Sequence, residues 1–190
     1  MSETTSPLAV GSGHIVGVVG AGVTGSAVGR ALTRRGIRVA WFDSQVGVAV
    51  RASRRIGGVA VDDLDDLAVT DAVVLAGPAP HARLARELVS AGIHVVCISD
   101  DRQDVDELIA LAPAAHAAGA TLVVGAALSP GLTGLLARRL TMQLAAADEI
   151  HVAMHGTGGP QCARQHHDVL GARSVAWHDG EWVERPGGSG

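Results

Sequence analysis

The chain has 190 residues, enough for one ordinary domain or for one domain with a small appendage, and 47% of them are hydrophobic. The apolar residues are mainly Ala, Val, Leu and Ile, with 2% aromatics and 25 glycines, a composition that can bury a real core and that suits helices packed closely on a parallel sheet. The formal net charge of -4 and the lack of any basic stripe interleaved with aromatics exclude the usual footprint of a nucleic-acid or anionic-membrane binder.

Residues 1–13 are polar, rich in Ser, Thr and Gly, and lack a basic n-region, so they are expected to form a disordered tail rather than a signal peptide or anchor. From His14 onward, short apolar runs alternate with amphipathic stretches. Strands are expected at Ile15 to Val19 and Arg38 to Phe42, with a helix from Val23 to Arg35 between them, ended by Gly36. A helix over Gln45 to Arg55, a short strand at Val59 to Val61 and a turn at Asp62 to Asp66 follow. Asp71 to Ala76 reads as a buried strand stopped by Gly77 and Pro78. Pro80 to Ser90 reads as a helix, with Pro in its first turn. Next come a strand at His94 to Ile98, a helix at Asp104 to Ala118 and a strand at Thr121 to Val124. Continuous runs such as Val73-Val74-Leu75 suit strands covered on both faces.

After Gly125 the rhythm changes. A helix is expected from Leu132 to Ala146, a strand from Glu149 to Met154, a helix from Gln161 to Leu170 and a hairpin over Ala176 to Trp182, turned at Asp179-Gly180. The reading is α/β: a doubly wound parallel sheet over residues 14–148, and a short C-terminal α+β appendage or truncated second domain over 149–190.

Gly20-Ala21-Gly22-Val23-Thr24-Gly25 is a G-x-G-x-x-G sequence between a strand and a helix, and a second strand ends in Asp43. This is the fingerprint of a Rossmann dinucleotide-binding fold. The first Gly permits a tight turn, the second lets the backbone approach a pyrophosphate, and the third lets the helix pack on the strand. Free N–H groups and the helix dipole then face the phosphates. An acid at position 43 can accept hydrogen bonds from the adenosine ribose, which favours NAD(H) over NADP(H). Arg51, Arg54 and Arg55 share a helical face and read either as a solvated basic face or as partners of a 2′-phosphate.

Ligands of such sheets lie beyond the carboxyl ends of the strands. Gly77 and Pro78, in the loop running to His81, and Ser129, Pro130 and Gly131, in the loop starting at Ala126, are therefore candidate cofactor contacts. Ser99 and Asp100 are weaker ones, and Asp100-Asp101 can equally cap the next helix. Gly156 to Pro160, with Arg164 one turn in, is a second possible anion site or an ordinary loop. His151, His155, Cys162, His166 and His167 crowd the tail, but their spacing fits no compact zinc motif, and no metal is expected. One of these histidines is a plausible general acid, although nothing selects which. Cys97, in an apolar run, reads as a small buried hydrophobe; with two distant cysteines and no membrane-length apolar run, a cytoplasmic location is expected.

The Gly20 to Gly25 loop, the run Ala91-Gly92-Ile93-His94-Val95-Val96-Cys97-Ile98-Ser99-Asp100, and Ser129-Pro130-Gly131-Leu132-Thr133 before a helix resemble the saccharopine dehydrogenase-like reductases. The stretch from Glu149 through Gly159-Pro160 and the Trp177 to Trp182 hairpin look like a bacterial branch of that family with unassigned substrates. The resemblance implies a nicotinamide cofactor, hydride transfer at a carbon–nitrogen bond of an amino-acid-like small substrate, and a second domain that often carries a dimer interface. With about forty residues after Asp148, too few for such a domain, the chain reads as a truncated form or as a compact homologue completed by a partner subunit. The expected function is thus an NAD(P)-dependent oxidoreductase whose catalytic residues are unknown. The alternative is a non-catalytic NAD(P)-binding module, such as a redox sensor or a subunit of a larger assembly.

Overall fold

The alternating pattern resolves into β1 (Ile15–Val19), α1 (Val23–Thr33), β2 (Arg38–Phe42), α2 (Val46–Ile56), β3 (Val59–Ala60), β4 (Ala72–Leu75) and α3 (Ala82–Ser90). It continues through β5 (His94–Cys97), α4 (Arg102–Ile109), α5 (Ala112–Ala117), β6 (Leu122–Val123) and α6 (Leu132–Thr141). These come from a computed structural model that describes residues 13–156 and 158–187; the expected N-terminal tail, up to residue 12, lies outside the described residues.

The six strands form one parallel sheet in the order β3-β2-β1-β4-β5-β6. The chain builds outward from β1 to β3, then crosses back and builds the other way from β4. The order therefore reverses between β1 and β4, and a crevice opens beyond their carboxyl ends. This is the Rossmann α/β fold. Strand alternation divides the core in two. Val18, Val39 and Trp41 pack with Ala49 and Ala52 of α2 in one cluster. Ala40, Val73, Leu75, Val95 and Cys97 pack with Ala85, Leu88 and Val89 of α3 and Leu108 of α4 in the other. Burial on both faces is why the strands read as continuous apolar runs. A Cβ on Gly29 of α1 would meet the Trp41 ring at 1.9 Å, so this glycine is what lets α1 sit down on β2.

Several elements differ from the sequence expectation, each for a physical reason. The helix expected over Asp104 to Ala118 is two, because Pro113 in the first turn of α5 has no N–H to continue the α4 ladder. Buried Leu111 sits between them. α3 begins at Ala82 rather than Pro80, and a carboxylate from α4 meets its first amides. α6 stops at Thr141, short of Ala146. Glu149 to Met154 forms no strand. Its apolar residues Ile150, Val152 and Met154 are exposed, and among the described residues nothing pairs with it. Among the described residues no helix is long and apolar enough to cross a membrane.

The chain divides into two compact units, Met1–Met154 and His155–Gly190. The second holds α7 (Pro160–Leu170) and an antiparallel hairpin of β7 (Arg173–His178) and β8 (Glu181–Pro186). Asp179 (φ 50°) and Gly180 (φ 85°) make the expected turn, both in the left-handed region that such two-residue turns require. Trp177 and Trp182 face each other across the strands, ring centroids 5.0 Å apart and edge-on.

Candidate functional site

The glycine loop joins β1 to α1 at the crevice, and its three glycines have different reasons to be glycine. Gly20 has φ +93°, and a Cβ there would lie 2.5 Å from the Gly77 backbone nitrogen. A Cβ on Gly25 would lie 1.8 Å from the Gly20 carbonyl oxygen. Both are fixed by the fold itself. Gly22 is the contrary case. Its backbone is ordinary in φ, and an added Cβ would meet nothing within 4 Å. Gly22, Val23 and Thr24 are exposed and Ala21 is buried. The N-terminus of α1 has no side-chain cap and no acid in its first turn, so its positive end is left to whatever sits in front of it.

Asp43 follows the last residue of β2, and its carboxylate is held on two sides. Oδ2 accepts the Ala21 amide at 2.8 Å and Oδ1 accepts the Gln45 amide at 2.9 Å. The acid is thereby fastened to the glycine loop, with lone pairs left on both oxygens. Arg51, Arg54 and Arg55 are exposed on α2, which buries Ala49 and Ala52 instead.

Gly77 and Pro78 begin the β4–α3 loop, and Gly77 lies directly against Gly20. The same loop carries a buried pair that the sequence did not announce. His81 Nδ1 lies 2.7 Å from Asp104 Oδ2, and His81 Nε2 lies 3.1 Å from the Gly77 carbonyl. Asp104 Oδ1 accepts the amides of His81 at 2.6 Å and Ala82 at 3.0 Å. Asp104, from the first turn of α4, thus caps α3 from another element, while Asp101 caps α4 itself by accepting the Asp104 amide. Burial alone would raise the Asp104 carboxyl, but hydrogen bonds from the His81 amide and ring and from Ser99 outweigh it and hold it below the ordinary carboxylate range.

Cys97 completes a buried trio of metal-capable side chains with His81 and Asp104. The trio does not fit a metal. Two donors on one zinc ion stand about 3.3 Å apart, farther than the 2.7 Å between His81 Nδ1 and Asp104 Oδ2, which is a hydrogen-bond distance. Burial also pushes the Cys97 thiol up to about 11, so it stays protonated and packs as the small hydrophobe expected from the sequence. Ser99 is buried and hydrogen-bonds Asp104, whereas Asp100 is exposed.

Ser129, Pro130 and Gly131 lie beyond β6, in a loop tied to the end of β5 through the Ala126 amide and the Cys97 carbonyl (2.9 Å). Gly131 has φ +127°, and a Cβ on it would strike the Ala127 and Gly125 carbonyls at 2.5 Å, so the loop is folded back on itself before α6. Within it the Ala127 amide donates to the Pro130 carbonyl, and the Leu132 and Thr133 amides donate to the Ala127 and Leu128 carbonyls. α6 buries no residue among those described, and a shallow hollow on it is lined by its Leu135, Arg138 and Arg139 with Met142 and Gln143 just beyond.

The histidine-rich stretch is not gathered into a site by what is described. His151 pairs with Glu149 at 2.9 Å, the side chain of His166 and all of Thr157 lie outside the described residues, and Arg164 contacts Gln161 at 3.4 Å.

No protein-family model and no curated protein sequence matches this chain. Solved structures do. The chain is similar to GenD2 from gentamicin A biosynthesis, a structure in complex with NAD, at 26% identity and a TM-score of 0.54, over 68% of this chain and 39% of that one. It is also similar to the WlbA dehydrogenase of Bordetella pertussis, in complex with NADH and UDP-GlcNAcA, at 25% identity and a TM-score of 0.55, over 69% and 42% of the two chains. A third is the UDP-N-acetylglucosamine 3-dehydrogenase GnnA of Acidithiobacillus ferrooxidans, at 22% identity and a TM-score of 0.56, over 67% and 43%. The covered shares of those chains mean that this chain spans about two fifths of their length. In class, then, the first unit is a Rossmann-type fold. Its structural neighbours include NAD-binding dehydrogenases.

Proposed function

We propose that this chain binds NAD(H) at the Gly20 to Gly25 loop and serves as the cofactor-binding part of an NAD-dependent oxidoreductase acting on a small-molecule substrate. The observation that carries the reading is Gly22. Between two glycines that the fold itself demands, it is exposed and borders open space, so its missing side chain answers to a ligand rather than to packing. The uncapped α1 terminus beside it supplies amides and positive potential for a pyrophosphate. Asp43, fastened to Ala21, would take the ribose hydroxyls, and a 2′-phosphate there would meet its negative charge. Gly77 and Pro78 border the same crevice; Ser129, Pro130 and Gly131 would have to reach it from the β6 edge. Hydride chemistry is what a nicotinamide supplies when bound, and the chain's part is to hold and orient it. The resemblance to saccharopine dehydrogenase-like reductases supports a narrower form of this reading, with an amino-acid-like substrate reduced or oxidised at a carbon–nitrogen bond.

A second reading, a non-catalytic NAD(H)-binding module, is favoured by one observation. His81, the histidine of the crevice loops, is buried with both ring nitrogens engaged and is not available as an acid or base.

Calorimetric titration tests the first reading: NADH is expected to bind at least tenfold more tightly than NADPH, about 1.4 kcal/mol. Binding of neither would overturn it. Turnover of bound NADH with imines, or with keto-acid and amine pairs, separates enzyme from module.

A further inference from the structure

We propose that His81 is a positioning residue for the cofactor, acting through its bond to the Gly77 carbonyl to hold the β4–α3 loop against the glycine loop. This rests on the cofactor reading above.

The geometry leaves His81 little freedom. A carbonyl oxygen only accepts, so Nε2 donates to Gly77. Nδ1 faces Asp104 Oδ2 at 2.7 Å, and Asp104 is a carboxylate whose other oxygen already accepts two backbone amides. Both ring nitrogens are thus engaged, Nε2 with the Gly77 carbonyl and Nδ1 with the Asp104 carboxyl group. The titratable groups facing the ring are Asp104 of α4 and Cys97 of β5, whose thiol stays protonated.

His81 therefore ties two crevice loops to one point. Asp104 fixes the start of α4 to the start of α3, and His81 carries that rigidity across to Gly77. Gly77 is the residue that needs it. It has no side chain to anchor it, and its backbone lies where a Cβ on Gly20 would touch its nitrogen at 2.5 Å and its Cα at 2.7 Å. The orientation of the Gly77 peptide thus bears directly on the turn that places Gly22 and the α1 amides.

Two conservative replacements separate this role from a merely structural one. In His81→Gln the side-chain amide reaches the Nε2 position, so the bond to Gly77 is kept and the bond to Asp104 is lost. In His81→Asn the amide reaches only the Nδ1 position, so Asp104 is kept and Gly77 is lost. A residue that mattered for core stability alone would be better replaced by Asn, which preserves the stronger, charge-assisted partner. Positioning predicts the reverse for binding: Kd for NADH rises about tenfold in His81→Asn and by no more than about threefold in His81→Gln, whatever the order of their melting temperatures. Equal affinities in the two variants, or a greater loss in His81→Gln, overturn the proposal. Heteronuclear NMR of the wild-type imidazole, in the titration buffer, reads the clamp without any cofactor: Nε2 is expected to carry a hydrogen, and a bare Nε2 overturns it. Wild-type protein that binds no NADH overturns the cofactor reading and the positioning role with it. Wild-type binding with unchanged affinity in His81→Asn overturns the positioning role alone.

Discussion

Gly22 and Gly25 are three residues apart and give opposite predictions, because only one of them is held by the protein. Gly22→Asp is expected to leave the melting temperature within about 2 °C and to abolish NADH binding in calorimetry, since the new carboxylate would occupy the phosphate position. Gly25→Ala is expected to lower both, because its Cβ cannot avoid the Gly20 carbonyl at 1.8 Å without moving α1 off β1. Asp104 gives a pH prediction. Its carboxyl is held below the ordinary range in the folded state, so the unfolded chain binds more protons as the solution is acidified. The stability it contributes is fully present above the ordinary carboxylate value and is lost as pH falls through the folded value. Chemical denaturation from neutral pH down through the carboxylate range should show a shallower acid loss in Asp104→Asn than in the wild type. The thiols separate by exposure. Cys97 is buried and its thiol is pushed up to about 11, whereas Cys162 is partly exposed, so a maleimide should modify Cys162 first in native protein, as peptide mass spectrometry would show.

At the scale of elements, the contact between α1 and β2 depends on the absence of one methyl group. Gly29→Ala would drive a Cβ into the buried Trp41 ring and is expected to cost about 1–3 kcal/mol in denaturant unfolding, with a changed Trp fluorescence that reports the displaced indole. Element type was legible in the sequence wherever local chemistry set it: the apolar runs of β1, β4 and β5, and the Asp179-Gly180 turn of the hairpin. It was not legible where a distant group decided. α3 starts at Ala82 because Asp104, 22 residues on, takes its first free amides, and no pattern within residues 80–90 encodes that. Glu149 to Met154 has the alternation of a strand, but a strand also needs a partner, and among the described residues none pairs with it.

For the molecule as a whole, the Met1–Met154 unit contains the sheet, both core clusters, the glycine loop and the His81–Asp104 clamp. A fragment ending at Met154 is therefore expected to unfold cooperatively and to bind NADH with the affinity of the full chain within about threefold, as calorimetry on both would show. A fragment that folds and does not bind would assign part of the cofactor site to residues 155–190. The sequence by itself determined the strand–loop–helix at Gly20 to Gly25, the acid at position 43 and the doubly wound plan, because backbone freedom, capping and apolar period are properties of contiguous residues. Only the tertiary structure decided which glycine borders open space, and which histidine, cysteine and acid meet in the interior. His81 and Asp104 stand 23 residues apart, and what makes them partners is that β4 and β5 lie side by side in the sheet and end at the same edge.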